Sequence, residues 1–252
     1  MVAFPHQPAR RITQAARFDQ LFAAGAQALL SGTQQRQAPP VENGPRWGMG
    51  VAMRPDRPAA QAIEQVAAAA AAVIGTRHWL AGAASRSHLT LRVLEPYRGR
   101  VTPGDSRVAR YAAALRAAVR GIGPVRFTLT GLTLTPISVM ARASPAGPAA
   151  DNLADAFGAA LGADGWYRDR PDIWYVNLAY FTGPVRDAHH LIDWVAARRE
   201  LNVADVLVTD IQIVRWHYAS TGMTPVVLSS AAPPGSTRPM RPSAPQAQAD
   251  RP

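Results

Sequence analysis

The chain contains neither cysteine nor lysine. The absence of cysteine excludes disulfides, zinc–thiolate centres and cysteine nucleophiles. The absence of lysine removes the P-loop, the Schiff base and the lysyl-adenylate, and with them a conventional ATP-dependent ligase. No apolar run approaches the ~18 residues of a membrane span. Arg10-Arg11 is followed only by the short apolar run 21–26, too little for a secretory signal. A cytoplasmic protein without a membrane partner is therefore expected. Histidine is also scarce: there are six, with none between 89 and 188.

Positive charge is plentiful. All 27 basic residues are arginine and the net charge is +10. Residues 45–231 keep 20 Arg against 14 acids, so part of the excess sits in the two ends. A mild positive field of this kind suits a phosphate-bearing ligand better than a long nucleic-acid footprint.

The stretch Ser87-His88-Leu89-Thr90-Leu91-Arg92-Val93-Leu94-Glu95 alternates polar and apolar residues as a half-buried strand does. Strict alternation puts His88, Thr90 and Arg92 on one face. Together they offer a proton shuttle, a hydrogen-bond donor and a cation. An ordinary strand with its polar face in solvent reads the same way.

Around this strand the chain divides into three. Residues 1–44 read as an N-terminal appendage, with helical spacing over about 12–31 and a Gln- and Pro-rich linker after it. A helix that docks on the domain and a partner-binding helix both fit. Residues 45–231 form the folded domain, and 232–252 a disordered Pro-rich tail. Within the domain, a strand at 47–54 leads into a helix opened by Asp56 and Pro58 and stopped by Gly75. A second helix starts at Thr102-Pro103, and 125–142 fits either two antiparallel strands or one bulged strand. A third helix spans 148–161, an aromatic-rich strand 172–181, a further helix opens at Asp187, and strands at 205–218 and 224–230 follow. This order, without a glycine-rich dinucleotide loop, indicates α+β.

His88-Leu89-Thr90, continued by Leu91-Arg92-Val93-Leu94-Glu95, resembles the first His-x-Thr signature of the two-histidine (2H) phosphoesterases, which include bacterial 2′-5′ RNA ligases and 2′,3′-cyclic phosphodiesterases. The resemblance implies a bilobed, pseudo-twofold α+β fold whose antiparallel sheets line a central cleft. It implies His88 and Thr90 as catalytic residues, Arg92 and Tyr175 as substrate-binding ones, and a nucleotide or RNA phosphate as ligand. No metal or cofactor is expected, and the chain is expected to be a monomer.

The family's second His-x-Thr falls, by order of elements, on 172–181, where this chain has Asn177-Leu178-Ala179. Alternation places Ile173, Tyr175, Asn177, Ala179 and Phe181 on one face. His78, His189 and His190 lie on the wrong elements, and His217 sits on a late strand that nothing directs at the cleft. Asparagine transfers no proton, and loss of one general acid or base costs about 10²–10⁴ in rate. Three readings follow: a phosphodiesterase of reduced activity, a non-catalytic binder of nucleotides or RNA ends, and a structural α+β protein with no cleft ligand. In the first two, an imidazolium at His88 would favour phosphate, so affinity is expected to fall as pH rises from about 5.5 to 8.

Overall fold

The structure, a computed structural model, describes residues 13–233 except 76, 103 and 165–172. His6, the Arg10-Arg11 pair, Pro103 and nearly all of the expected tail lie outside the described residues. In chain order the elements are α1 (Gln14–Leu30), β1 (Met49–Pro55), α2 (Arg57–Ile74), β2 (Trp79–Leu80), β3 (Leu89–Glu95), α3 (Ser106–Val119), β4 (Arg126–Thr135), β5 (Ser138–Pro145), α4 (Ala149–Leu161), β6 (Trp174–Tyr180), α5 (Ala188–Ala196), β7 (Asn202–Ala219) and β8 (Gly222–Ala231). Among the described residues no helix is long and apolar enough to cross a membrane.

The helices begin where short polar caps meet apolar periodicity. Asp105 accepts from the N–H groups of Arg107 and Val108 and opens α3, later than the Thr102-Pro103 start expected from sequence. Asp56 precedes α2 but turns its carboxylate to the N–H of Leu207 on β7 at 3.2 Å, so it ties helix to sheet instead of capping. The stretch 125–142 is a hairpin and is also bulged: β4 and β5 pair throughout, with a shift between Leu129 and Leu132. Gly131 sits there at φ +81, and a Cβ on it would meet Arg199 O at 1.9 Å. Only glycine fits.

All the described strands belong to one sheet. The order β1-β3-β6-β5-β4-β7 returns to β1, so six antiparallel strands form a ring. The two lobes are joined because β7 is long: residues 202–207 pair with β4 and 208–214 with β1. The narrow seam is between β3 and β6, which share the single pair Leu89↔Val176. Leu89, Leu91, Val176 and Leu178 face the continuous apolar core. The opposite face of the sheet lines the cleft.

Helix α1 is part of the fold. Phe18 and Leu29 are buried, and the Gln14 amide donates to Ala143 O at 2.8 Å. Gly25 lets the helix lie almost on the strand: a Cβ there would be 2.8 Å from the Leu134 carbonyl carbon. The face it covers carries Thr133, whose hydroxyl donates to Phe18 O at 3.1 Å. Thr133 pairs with Met140, and Met140 with Asn177. Opposed residues share a face, so α1 lies on the cleft side of the second lobe.

Candidate active site

The site is built from two strands that are each bulged beside it. On β3, Ala52 opposes Thr90 and Val51 opposes Arg92, so Leu91 has no partner on β1. On β6, Met140 opposes Asn177 and Val139 opposes Ala179, so Leu178 has none on β5. A bulge of this kind inverts the alternation beyond it. The cleft face of β3 therefore runs His88, Thr90, Val93, and that of β6 runs Tyr175, Asn177, Tyr180.

Two of the residues expected at the site are removed by these bulges. Arg92 is turned to the helix side, where a Cβ on Gly158 of α4 would lie 2.9 Å from its Nη1. Ala179 is 1% exposed and packs in the main core. The bulges also set the equivalence of the lobes. Matching Leu91 to Leu178 makes Thr90 the counterpart of Asn177 and His88 the counterpart of Tyr175. Of the expected pair, Asn177 lies on the cleft face and Ala179 in the core, and on this matching Tyr175-Val176-Asn177 stands opposite His88-Leu89-Thr90.

The pair Leu89↔Val176 marks the centre. One step to either side, His88 lies across from Asn177 and Thr90 across from Tyr175. Imidazole and phenol occupy one diagonal, and hydroxyl and amide the other. All four are partly exposed, with His88 and Thr90 lining one hollow and Tyr175 and Asn177 another.

His88 is held in one tautomer. Its Nδ1–H donates to Arg86 O at 2.8 Å, which leaves Nε2 as the proton acceptor. Burial drives its pKa down to about 4; the Arg86 carbonyl opposes the fall and the Arg54 guanidinium adds to it. His88 is therefore neutral from 5.5 to 8, and the expected fall of phosphate affinity across that range does not follow. Arg54 lies on the same face, opposite Asp210, and donates to the carbonyls of Ser87 and Ala84. It braces the loop that presents His88. Its own pKa is lowered by burial, partly offset by Asp210.

Aromatic rings crowd the His88 side. Trp216 lies 5.1 Å from His88 between ring centroids. Trp47 lies 5.5 Å from Trp216, 6.0 Å from Trp79 and 5.1 Å from Tyr180. Trp47 has a positive φ of 61, and its buried indole N–H finds no acceptor among the described residues. Tyr180 borders the hollows on both sides of the seam, and burial, reinforced by Tyr175, raises its phenol well above the usual range.

Alternation along β1, with Gly50, Ala52 and Arg54 on one face, carried the signal for Arg54. The linker composition before Trp47 carried none for the aromatic cluster. The other described histidines stay away. His189, His190 and His217 are exposed, and His78 Nδ1 accepts from the N–H of Thr182. Among the described residues no three His, Asp or Glu side chains gather as a metal site would require.

No family model and no curated protein sequence matches the chain. Solved structures do. Escherichia coli LigT complexed with 3′-AMP superposes with a TM-score of 0.54 at 17% identity, over 75% of this chain and 98% of that one. TT0787 of Thermus thermophilus gives 0.53 at 18%, over 73% and 96%. A structure described as a phosphoesterase gives 0.52 at 16%, over 74% and 98%. The chain has the fold of the LigT-like 2H phosphoesterases.

Proposed function

We propose that the chain binds the phosphate of a nucleotide or RNA end, in particular a 2′,3′-cyclic phosphate, between His88 and Thr90 of one lobe and Tyr175 and Asn177 of the other. The observation that carries this reading is the Leu89↔Val176 pair, whose antiparallel register brings the neighbours of both residues to the two sides of one seam. The fold neighbour LigT is described in complexes with 3′-AMP, NADP+ and ATP, which agrees with a nucleotide ligand here.

Turnover is expected to be slow. Neutral His88 with Nε2 free is a base, able to take a proton from water attacking phosphorus. The leaving oxygen then has only the Tyr175 phenol on the facing diagonal to protonate it. A phenol is a weaker acid at neutral pH than an imidazolium. The oxygen expelled on opening a strained cyclic phosphate needs that proton least. Thr90 and the Asn177 amide hold the phosphoryl oxygens.

The pH dependence tests this assignment. Thermal-shift titrations with 2′,3′-cyclic AMP should give the same affinity from pH 5.5 to 8 and a weakened one in His88→Ala. Any residual hydrolysis should rise through about pH 4, as His88 loses its proton, and be level from 5.5 to 8. A rate or affinity that changes tenfold between pH 6 and 7 would remove the neutral-base role.

A further inference from the structure

Among the described residues three hollows along the cleft differ in size and in who builds them. On the His88 side they measure about 20 and 140 Å³, narrowed by Trp47, Trp79 and Trp216. On the Asn177 side one measures about 340 Å³. Ligand pockets for small molecules start near 300 Å³, so only the second side has room for a base and sugar. Tyr175 and Asn177 line its inner end, next to the spot assigned to phosphate.

The N-terminal segment makes this difference. Helix α1 lies on the cleft face of the second lobe and supplies Leu21 as a wall. The chain then crosses from lobe to lobe: Gln35 N–H donates to Pro136 O at 2.8 Å, Gln37 N–H to Phe181 O at 2.6 Å, and Asn43 N–H to Tyr97 O at 2.9 Å. Gln35 borders the large hollow near the start of this strap, and Trp47 fills the small ones at its end. The remaining walls include Met140 and Ile173. The hydroxyls of Thr135 and Ser138 hydrogen-bond each other at 2.8 Å, so the Gln35 amide is the group suited to reading a base edge.

We propose that α1 and the strap turn the second lobe's half of the cleft into a nucleoside pocket. The base of a bound nucleotide then lies against Leu21, Met140 and Ile173, within reach of Gln35, and not among the tryptophans. This rests on the phosphate site proposed above and adds to it the direction of the ligand's organic part.

The test uses the full chain with two probes, 2′,3′-cyclic AMP and ethylene phosphate, a cyclic diester without sugar or base. Wild type should bind the nucleotide at least about tenfold more tightly, since a base buried in an apolar pocket adds over a kcal/mol. Leu21→Trp and Gln35→Trp, which fill the pocket from the helix and from the exposed strap, should erase that preference and leave ethylene phosphate binding unchanged. Trp47→Ala should keep the preference. Loss of the preference in Trp47→Ala but in neither filling variant would overturn the inference, as would equal binding of both probes by wild type. Equal weakening of both probes in both filling variants would overturn it too. Failure of wild type to bind either probe would instead remove the phosphate site, and this inference with it.

Discussion

Replacing Tyr175 with His and Asn177 with Thr is expected to raise hydrolysis of a 2′,3′-cyclic phosphate by about 10²–10⁴. On the proposed equivalence of the lobes, 175 and 177 stand where the second lobe repeats His88 and Thr90. An imidazole at 175 then stands on the diagonal facing His88 and protonates the leaving oxygen that His88, as base, cannot. The gain should disappear when His88→Ala is added, because the pair acts as a unit. The pH–rate profile should become bell-shaped, with one imidazole needed neutral and the other charged. A control separates this register from the one alternation suggests. Asn177→His with Ala179→Thr should give no comparable gain, since position 179 faces the core. Burying a hydroxyl there costs about 1–3 kcal/mol. Steady-state kinetics on both double variants decides: a gain in the second pair and none in the first would refute the bulged equivalence.

The second large effect is on stability in acid. His88 in the folded chain titrates at about 4, against an ordinary 6.5. Above 6.5 the imidazole is neutral in both states and contributes nothing to the pH dependence. As pH falls below 6.5 the unfolded chain takes up a proton that the folded chain refuses until about 4. Stability is lost through that window, by up to about 3 kcal/mol at ~1.4 per pH unit. Denaturant unfolding of wild type and His88→Gln at pH 7 and pH 4.5 isolates the contribution, since other titrations are common to both. Wild type should lose more than the variant, by about 2–3 kcal/mol. An equal loss in both would show that burial does not suppress protonation of His88.

Much of this fold is legible from alternation and caps. The β3 strand, the helix capped by Asp187, the stop of α2 at Gly75 and the α+β order all follow from local patterns. So does the common face of His88 and Thr90, and of Tyr175 and Asn177. What alternation does not carry is an extra residue. Leu91 and Leu178 are as apolar as the pattern expects, yet each is unpaired on its bulged edge, and the faces of the residues just after each, Arg92 and Val93, Ala179 and Tyr180, are inverted. Arg92 and Ala179 were misplaced for that reason alone. The closure of the ring was hidden as well, because β7 reads as an ordinary strand until its two halves are seen to pair with β4 and β1. The strap had only a loop composition, which says nothing of Trp47 settling against three other aromatic rings.

The central claim is that one phosphate is held by both lobes at once. Isothermal titration of 2′,3′-cyclic AMP into wild type, Thr90→Ala, Asn177→Ala and Thr90→Ala/Asn177→Ala measures this most directly. Each single variant should weaken binding by roughly 1 kcal/mol, about fivefold, the net worth of one hydrogen bond. The double variant should depart from the sum of the singles, because both groups grip the same anion. Weakening by one lobe's variant alone, with the other left at the wild-type affinity, would contradict the account.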